Sequence, residues 1–415
     1  MLNLSFPDRD RRWSLANVVF ATYTLFLAGF YFVPNAVDNY KFYIAAVFLP
    51  GLFLLPQTLK LCMRSRIWLS LLAYLAYMLS SSLWSTDFSV ATLWRDARYT
   101  AYILVFILLT VYWFERNRQL PDAIMEAVTL VAILAAAVSI VTFEDLMLLP
   151  ALTDNRLIGL GITDNPNPSA FIYGFFGVIA LDYARRHWGE KLAYVHAAGL
   201  MIIVFFVILT QSNTGLLAMA SACALLFLLD RRRAPPALVI GLAIGVAASL
   251  YLVWSLGLLN AATDLGFVAR FPIWERILEQ WQAAPIFGYG FQPEIVLLPD
   301  GKPSILNYAH SSFLATLRDG GMVGLLLLLA VYGLALQTAF KMVFTVRRAR
   351  YLCLFALGVI CVLVDTDQMI TRPRELWIIL WLPLACLVAY ELDLTDDDRS
   401  GSPGRQAGLS PKNIR

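Results

Sequence analysis

His310, Arg270 and Arg156 are the side chains of this 415-residue chain whose types and settings fit chemistry on a polar, anionic substrate. The chain holds only three histidines. His187 and His196 bracket a charged loop and the start of an apolar run, and read as interfacial residues. His310 stands where a long loop enters an apolar run, followed by Ser311–Ser312–Phe313–Leu314. An imidazole exchanges its proton near neutrality, which makes His310 the candidate general base, with a polar helix-start anchor as the alternative. Arginine offers a planar fork of donors that matches phosphate oxygens two at a time. Arg156 and Arg270 are the first candidates for such contacts, and Arg95, Arg98 and Arg372 are further ones. For each, a snorkelling anchor or an ion pair with a nearby acid is the competing reading.

The elements that must position these residues are set by composition. At 59% hydrophobic and 15% charged, the chain departs from a soluble protein, which is about a quarter charged. Its 11 Trp and 18 Tyr suit membrane interfaces. Secreted disulfide scaffolds, nucleic-acid binders and disordered chains are excluded. Apolar runs fall at 13–33, 41–59, 67–85, 97–114, 121–142, 168–184, 192–211, 213–229, 235–256, 311–340, 351–368 and 374–391. Lipid leaves no open backbone group satisfied, and no barrel-type alternation occurs, so these runs predict about twelve transmembrane helices in an all-α polytopic membrane protein.

Positive charge orients the predicted spans. Twenty-two of the 32 Lys and Arg lie on one alternating set of segments, and this set is cytoplasmic, with both termini inside. The other set carries Lys41, Arg95, Arg98, Arg156, Arg270, Arg276, Lys302, Arg318, Arg372 and Arg374. Eight of these ten are Arg, and a group of outward arginines would suit a lipid-linked pyrophosphate at headgroup level. The first apolar stretch reads as a span rather than a cleavable signal. None of the five cysteines lies in a predicted outer loop, so no disulfide or thiol–metal site is expected. Residues 1–394 read as a single membrane domain and 395–415, polar with an acidic Asp396–Asp398 run, as a disordered cytoplasmic tail.

One outer loop, 257–310, is out of proportion to the rest. Pro272 can open a helix, and Ile273, Trp274, Ile277, Leu278 and Trp281 recur at helical spacing until Pro285. This predicts an amphipathic helix along the membrane surface, a lid or a wall, followed by a Gly288–Tyr289–Gly290 turn. The second outer loop of note is 143–167. Asp365 and Asp367 come nearest to a metal-ligand pair, with pairing to Arg372 or Arg374 as the alternative; no metal or cofactor is expected.

These motifs in order carry a resemblance. Arg270–Phe–Pro–Ile–Trp274, Ala284–Pro285–Ile–Phe–Gly288–Tyr–Gly290, His310–Ser–Ser–Phe–Leu314 and Asp319–Gly320–Gly321–Met–Val–Gly324 resemble the signature of the O-antigen ligase/polymerase superfamily. Upstream, Arg156–Leu157–Ile158–Gly159 and Asn165–Pro166–Asn167 resemble it as well. Each motif is weak alone; four in order on one side of the membrane are specific. The resemblance implies a metal-independent glycosyltransferase of the bacterial inner membrane with a periplasmic active site. Its donor would be undecaprenyl-pyrophosphate-linked O-antigen and its acceptor a hydroxyl of lipid A-core, in lipopolysaccharide synthesis. His310 and Arg270 would be catalytic; Arg156, Asn167, Trp274 and one or more of Arg95, Arg98 and Arg372 would bind substrate. One departure stands out: Thr210–Gln211–Ser212–Asn213 carries Asn where relatives commonly carry Arg, so another outer arginine would have to compensate.

Three alternatives remain open. A polymerase of the same superfamily would extend one lipid-linked glycan with another. Relatives that glycosylate proteins tend to carry an added soluble domain, which this length does not leave room for. A twelve-span secondary transporter predicts internal repeats and mid-span charges, and neither is evident.

Overall fold

The computed structural model describes residues 14–143, 156–230, 235–255, 270–291, 309–366 and 368–400. Among these there is no strand; every regular element is helical. A helix occupies each of the twelve apolar runs. Seven of the helices are long and apolar enough to cross a membrane, or eight if a bent pair counts as one span. That pair, Ala36–Leu54 and Pro56–Cys62, bends by 73° where one straight span was expected over 41–59. Leu55 precedes Pro56, whose ring disfavours helical geometry in the residue before it and removes a backbone donor. The last helix runs on to Ser400, past Leu394, after which the tail was expected to begin. Residues 401–415 lie outside those described.

The Pro166–Arg186 helix is the hub, and every residue from Ser169 to Arg185 on it is buried. It packs against Leu120–Val141, Lys191–Leu209, Asn213–Leu229 and Arg350–Val364. Asn165 caps its start, accepting from the Asn167 amide at 3.0 Å. At the other end Asp182 pairs with Arg186 and with Arg350. The Arg350 guanidinium, 1% exposed, also reaches Asp122 at 3.1 Å and Glu126 at 3.0 Å. Arg348 adds a contact to Asp122 at 3.0 Å, and Tyr351 donates its hydroxyl to the same carboxylate. Three arginines thus face three carboxylates at the junction of three helices. The Arg350–Val364 helix carries this cluster at its start and Asp365 just past its end, roughly 20 Å away.

A second device holds the amphipathic helix in place. The Ser312–Thr345 helix is broken at Gly321, whose φ of 60° and ψ of −160° are not helical. A break frees backbone donors and acceptors, which must find partners inside a protein at membrane depth. Here the 285–290 turn supplies them. Met322 and Val323 donate to the carbonyls of Pro285 and Ile286, at 2.9 and 3.2 Å. Tyr289 and Gly290 donate in return to the carbonyls of Arg318 and Asp319, at 3.0 and 2.8 Å. A Cβ on Gly288 would come within 2.4 Å of the Gly321 nitrogen, and one on Gly321 within 2.3 Å of the Ile286 oxygen. The two glycine motifs are therefore halves of one interlocked turn, and glycine is required for the contact itself as well as for positive φ.

Candidate active site

Asp365 gathers the residues that the sequence placed in separate loops. It ends the Arg350–Val364 helix, and its side chain is 5% exposed. Arg270, at the start of the Phe271–Ala283 helix, donates from Nη2 to Asp365 Oδ1 at 2.6 Å and from Nη1 to the Val364 carbonyl at 2.7 Å. His310 Nδ1 lies 3.3 Å from the same Oδ1. Asn167, in the first turn of the hub helix, donates from Nδ2 to Asp365 Oδ2 at 2.6 Å. Arg156 closes the circle, with Nη2 donating to Asn167 Oδ1 at 2.6 Å.

Pairing of Asp365 with Arg372 or Arg374, one of the two sequence readings, is corrected by these contacts. Arg374 lies instead against Glu375 at 2.8 Å, and Asp367 falls outside the described residues. Arg270 reaches Asp365 across 95 positions, which a scan of local spacing does not see.

The local backbone explains the rest of the placement. Arg156 Nε donates to the Thr210 carbonyl at 2.9 Å, and Nη2 also approaches the Gln211 carbonyl at 3.4 Å. It therefore braces the turn just ahead of Asn213, where Gln211 takes a φ of 53°. Asn213 itself is exposed at the start of its helix. His310 also sits at positive φ, 47°, a costly conformation for a side chain with a Cβ. Two hydrogen bonds flank it. Trp274 Nε1 donates to the Ala309 carbonyl at 3.0 Å, and Ser312 Oγ donates to the Thr366 carbonyl at 3.1 Å. The Phe271–Ala283 helix is thus tied at its start by Arg270, in its second turn by Trp274 and at its end by the interlocked turn. Of the two sequence readings, lid or wall, these ties favour the wall.

Charge in the cluster is unbalanced. Arg156 and Arg270 are permanent cations sharing one carboxylate, Asp365. Burial pulls the Arg156 guanidinium below its ordinary pKa, Asp365 opposes the shift and Arg270 adds to it. Arg156 bonds only to neutral oxygens among the described residues. His310, with its side chain 30% exposed, is more open than Arg270 at 10% and Asp365 at 5%. With Nδ1–H donating to Asp365, Nε2 is left as the proton acceptor.

The other three arginines stand apart from this cluster. Arg95 pairs with the buried Asp96 at 2.9 Å. Arg98 and Arg372 are exposed and make no hydrogen bond or ion pair with it among the described residues. Arg318, also on the outward set, is buried against Asp319 at 2.7 Å beside the helix break. Asp365 is read in the sequence only as half of a metal-ligand pair or as a partner of Arg372 or Arg374, and Ser312 only as part of the His310 motif, while the Ala309 carbonyl carries no sequence signal. The one signal for Asp365 was its place, an acid near the end of the 351–368 apolar run.

Residues 198–329 match the sequence profile of a family described as O-Antigen ligase. The chain is also similar to a curated Pseudomonas aeruginosa protein named O-antigen ligase, at 30% identity over 378 residues, 88% of each chain.

Proposed function

The chain belongs to the O-antigen ligase family, and from that premise we propose that it transfers O-antigen polysaccharide from undecaprenyl pyrophosphate to a hydroxyl of lipid A-core. The supporting observation is the Arg156–Asn167–Asp365–Arg270–His310 circuit, in which two guanidinium groups share one carboxylate beside a half-open imidazole.

In this mechanism Arg156 and Arg270 bind the pyrophosphate and offset the charge that grows on it as the anomeric carbon–oxygen bond breaks. His310 Nε2 accepts the proton of the acceptor hydroxyl as its oxygen bonds to that carbon. Asp365 holds the imidazole in the tautomer that leaves Nε2 free and stabilises the imidazolium that forms. Asn167 keeps Arg156 and Asp365 in register. Arg156 donates to the Thr210 and Gln211 carbonyls of the turn before Asn213, and its guanidinium serves at the place where the arginine is missing. The arginines here hold the place of a divalent cation, so the proposed reaction is metal-independent.

We place this site on the periplasmic side of the bacterial inner membrane, in a twelve-span chain with both termini cytoplasmic. The charge bias and the helix at each apolar run support that arrangement. The test is the product formed by purified protein given lipid-linked polymer and lipid A-core. Polymer attached to lipid A-core is expected. Longer lipid-linked polymer with unmodified lipid A-core would identify a polymerase instead.

A further inference from the structure

Beyond the reacting atoms, the exposed face of the Phe271–Ala283 helix borders an open depression of about 530 Å³. Phe271, Trp274, Glu275, Leu278, Glu279 and Gln282 line it. Their spacing of three and four residues is one continuous helical stripe, opposite the buried Ile273 and Ile277. Phe271 and Leu278 are 52% and 41% exposed, and the Phe271 and Trp274 rings meet edge to face at 5.7 Å, forming an aromatic corner.

We propose that this face is a binding wall for the donor's glycan, recognising neutral sugar residues beyond the one being transferred. The inference rests on the reaction proposed above. Three observations carry it. The stripe is continuous with the site: Arg270 opens the helix, and Trp274 both lines the depression and holds the Ala309 carbonyl beside His310. Its chemistry fits sugars, because carboxylates and an amide accept from hydroxyl groups while aromatic rings cover the C–H faces of pyranose rings. Its charge disfavours a lipid surface. Helices that lie on anionic membranes present Lys and Arg on the polar face, whereas this one presents Glu275, Glu279 and Gln282, with Arg276 paired to Glu279 at 2.9 Å. The helix is about 20 Å long, enough to accompany several sugars away from the pyrophosphate.

The experiment compares two donors on the full-length protein in nanodiscs: undecaprenyl pyrophosphate carrying the polymer, and the same lipid carrying one sugar. Wild type is expected to show a lower KM for the polymer donor. The double variant Glu275→Gln, Glu279→Gln is expected to lose most of that advantage, about tenfold, the effect of one charge-assisted hydrogen bond. Phe271→Ala is expected to act in the same direction. Equal KM for both donors in wild type, or variants that shift both equally, would overturn the wall while leaving the transfer reaction standing. A shift that tracks the anionic-lipid content of the nanodisc would make the face a membrane contact and overturn the wall as well. If wild type transfers neither donor, the reaction itself fails and the wall fails with it.

Discussion

Asp365→Asn is expected to lower the rate of glycan transfer by roughly 100- to 1,000-fold, the range associated with a mispositioned general base. The variant keeps the shape of the side chain and removes its charge. Arg270 and His310 meet the same oxygen, so an amide turned with its NH₂ to that position donates to His310 Nδ1, which then no longer holds the proton. Nε2 would carry the proton instead and could not accept one from the acceptor. Donor affinity should hold or improve, because Arg156 and Arg270 no longer share their field with a carboxylate. The expected signature is therefore a fallen kcat with no rise in the KM for donor. A variant of normal abundance with wild-type kcat would remove Asp365 from the mechanism.

The largest effect on stability should come from the opposite ends of the same two helices. Arg350→Met leaves Asp122, Glu126 and Asp182 without the guanidinium that three of its nitrogens now bring to them. Removing one partner of a buried ion pair costs about 3–5 kcal/mol, because the charge left behind has neither water nor a counter-ion. Arg348 and Arg186 remain, but each reaches one of the three carboxylates: Arg348 reaches Asp122 and Arg186 reaches Asp182. Less protein should reach the membrane, and what does should unfold at a clearly lower temperature in detergent. Activity per folded molecule should be retained, since the site lies at the other end of the helices. A melting temperature equal to wild type would show that the cluster is not a determinant of stability.

These two sites show what a sequence makes legible here and what it hides. The helices could be read because each must be apolar over a long run in lipid, a constraint written locally. The bend between Leu54 and Pro56 was hidden by the same apolarity, which is indifferent to whether a run is straight. His310 and Arg270 could be named from residue type and place, since the chain holds only three histidines and both residues lie in the long 257–310 loop. Asp365 could not be assigned, because an acid at a helix end looks the same whether it meets Arg372 seven positions on or Arg270 on another helix. Arg348 and Arg350 were counted only as orienting charges. A cation in water and one buried against carboxylates satisfy the charge bias equally, so only the packing separates them.

The glycine motifs illustrate a different limit. Pro285–Gly290 and Asp319–Gly324 were legible as a pair of family-like signatures, and their order along the chain was informative. Their reason was not, because it lies in hydrogen bonds between them. Tyr289 and Gly290 meet carbonyls freed by the break at Gly321, and a Cβ at either glycine of the crossing would collide with backbone. What reads in the sequence as a turn is the joint that ties the Phe271–Ala283 helix to the Ser312–Thr345 helix.

We propose that the Arg156–Asp365–Arg270–His310 cluster transfers a glycan from lipid pyrophosphate. It is tested most directly by measuring, in one membrane preparation, glycan transfer to lipid A-core and binding of undecaprenyl pyrophosphate for wild type and for His310→Ala. The account predicts that the variant binds undecaprenyl pyrophosphate as tightly as wild type, because both guanidinium groups are intact, and transfers glycan at least about 100-fold more slowly. Transfer at the wild-type rate by a normally folded His310→Ala protein would contradict it.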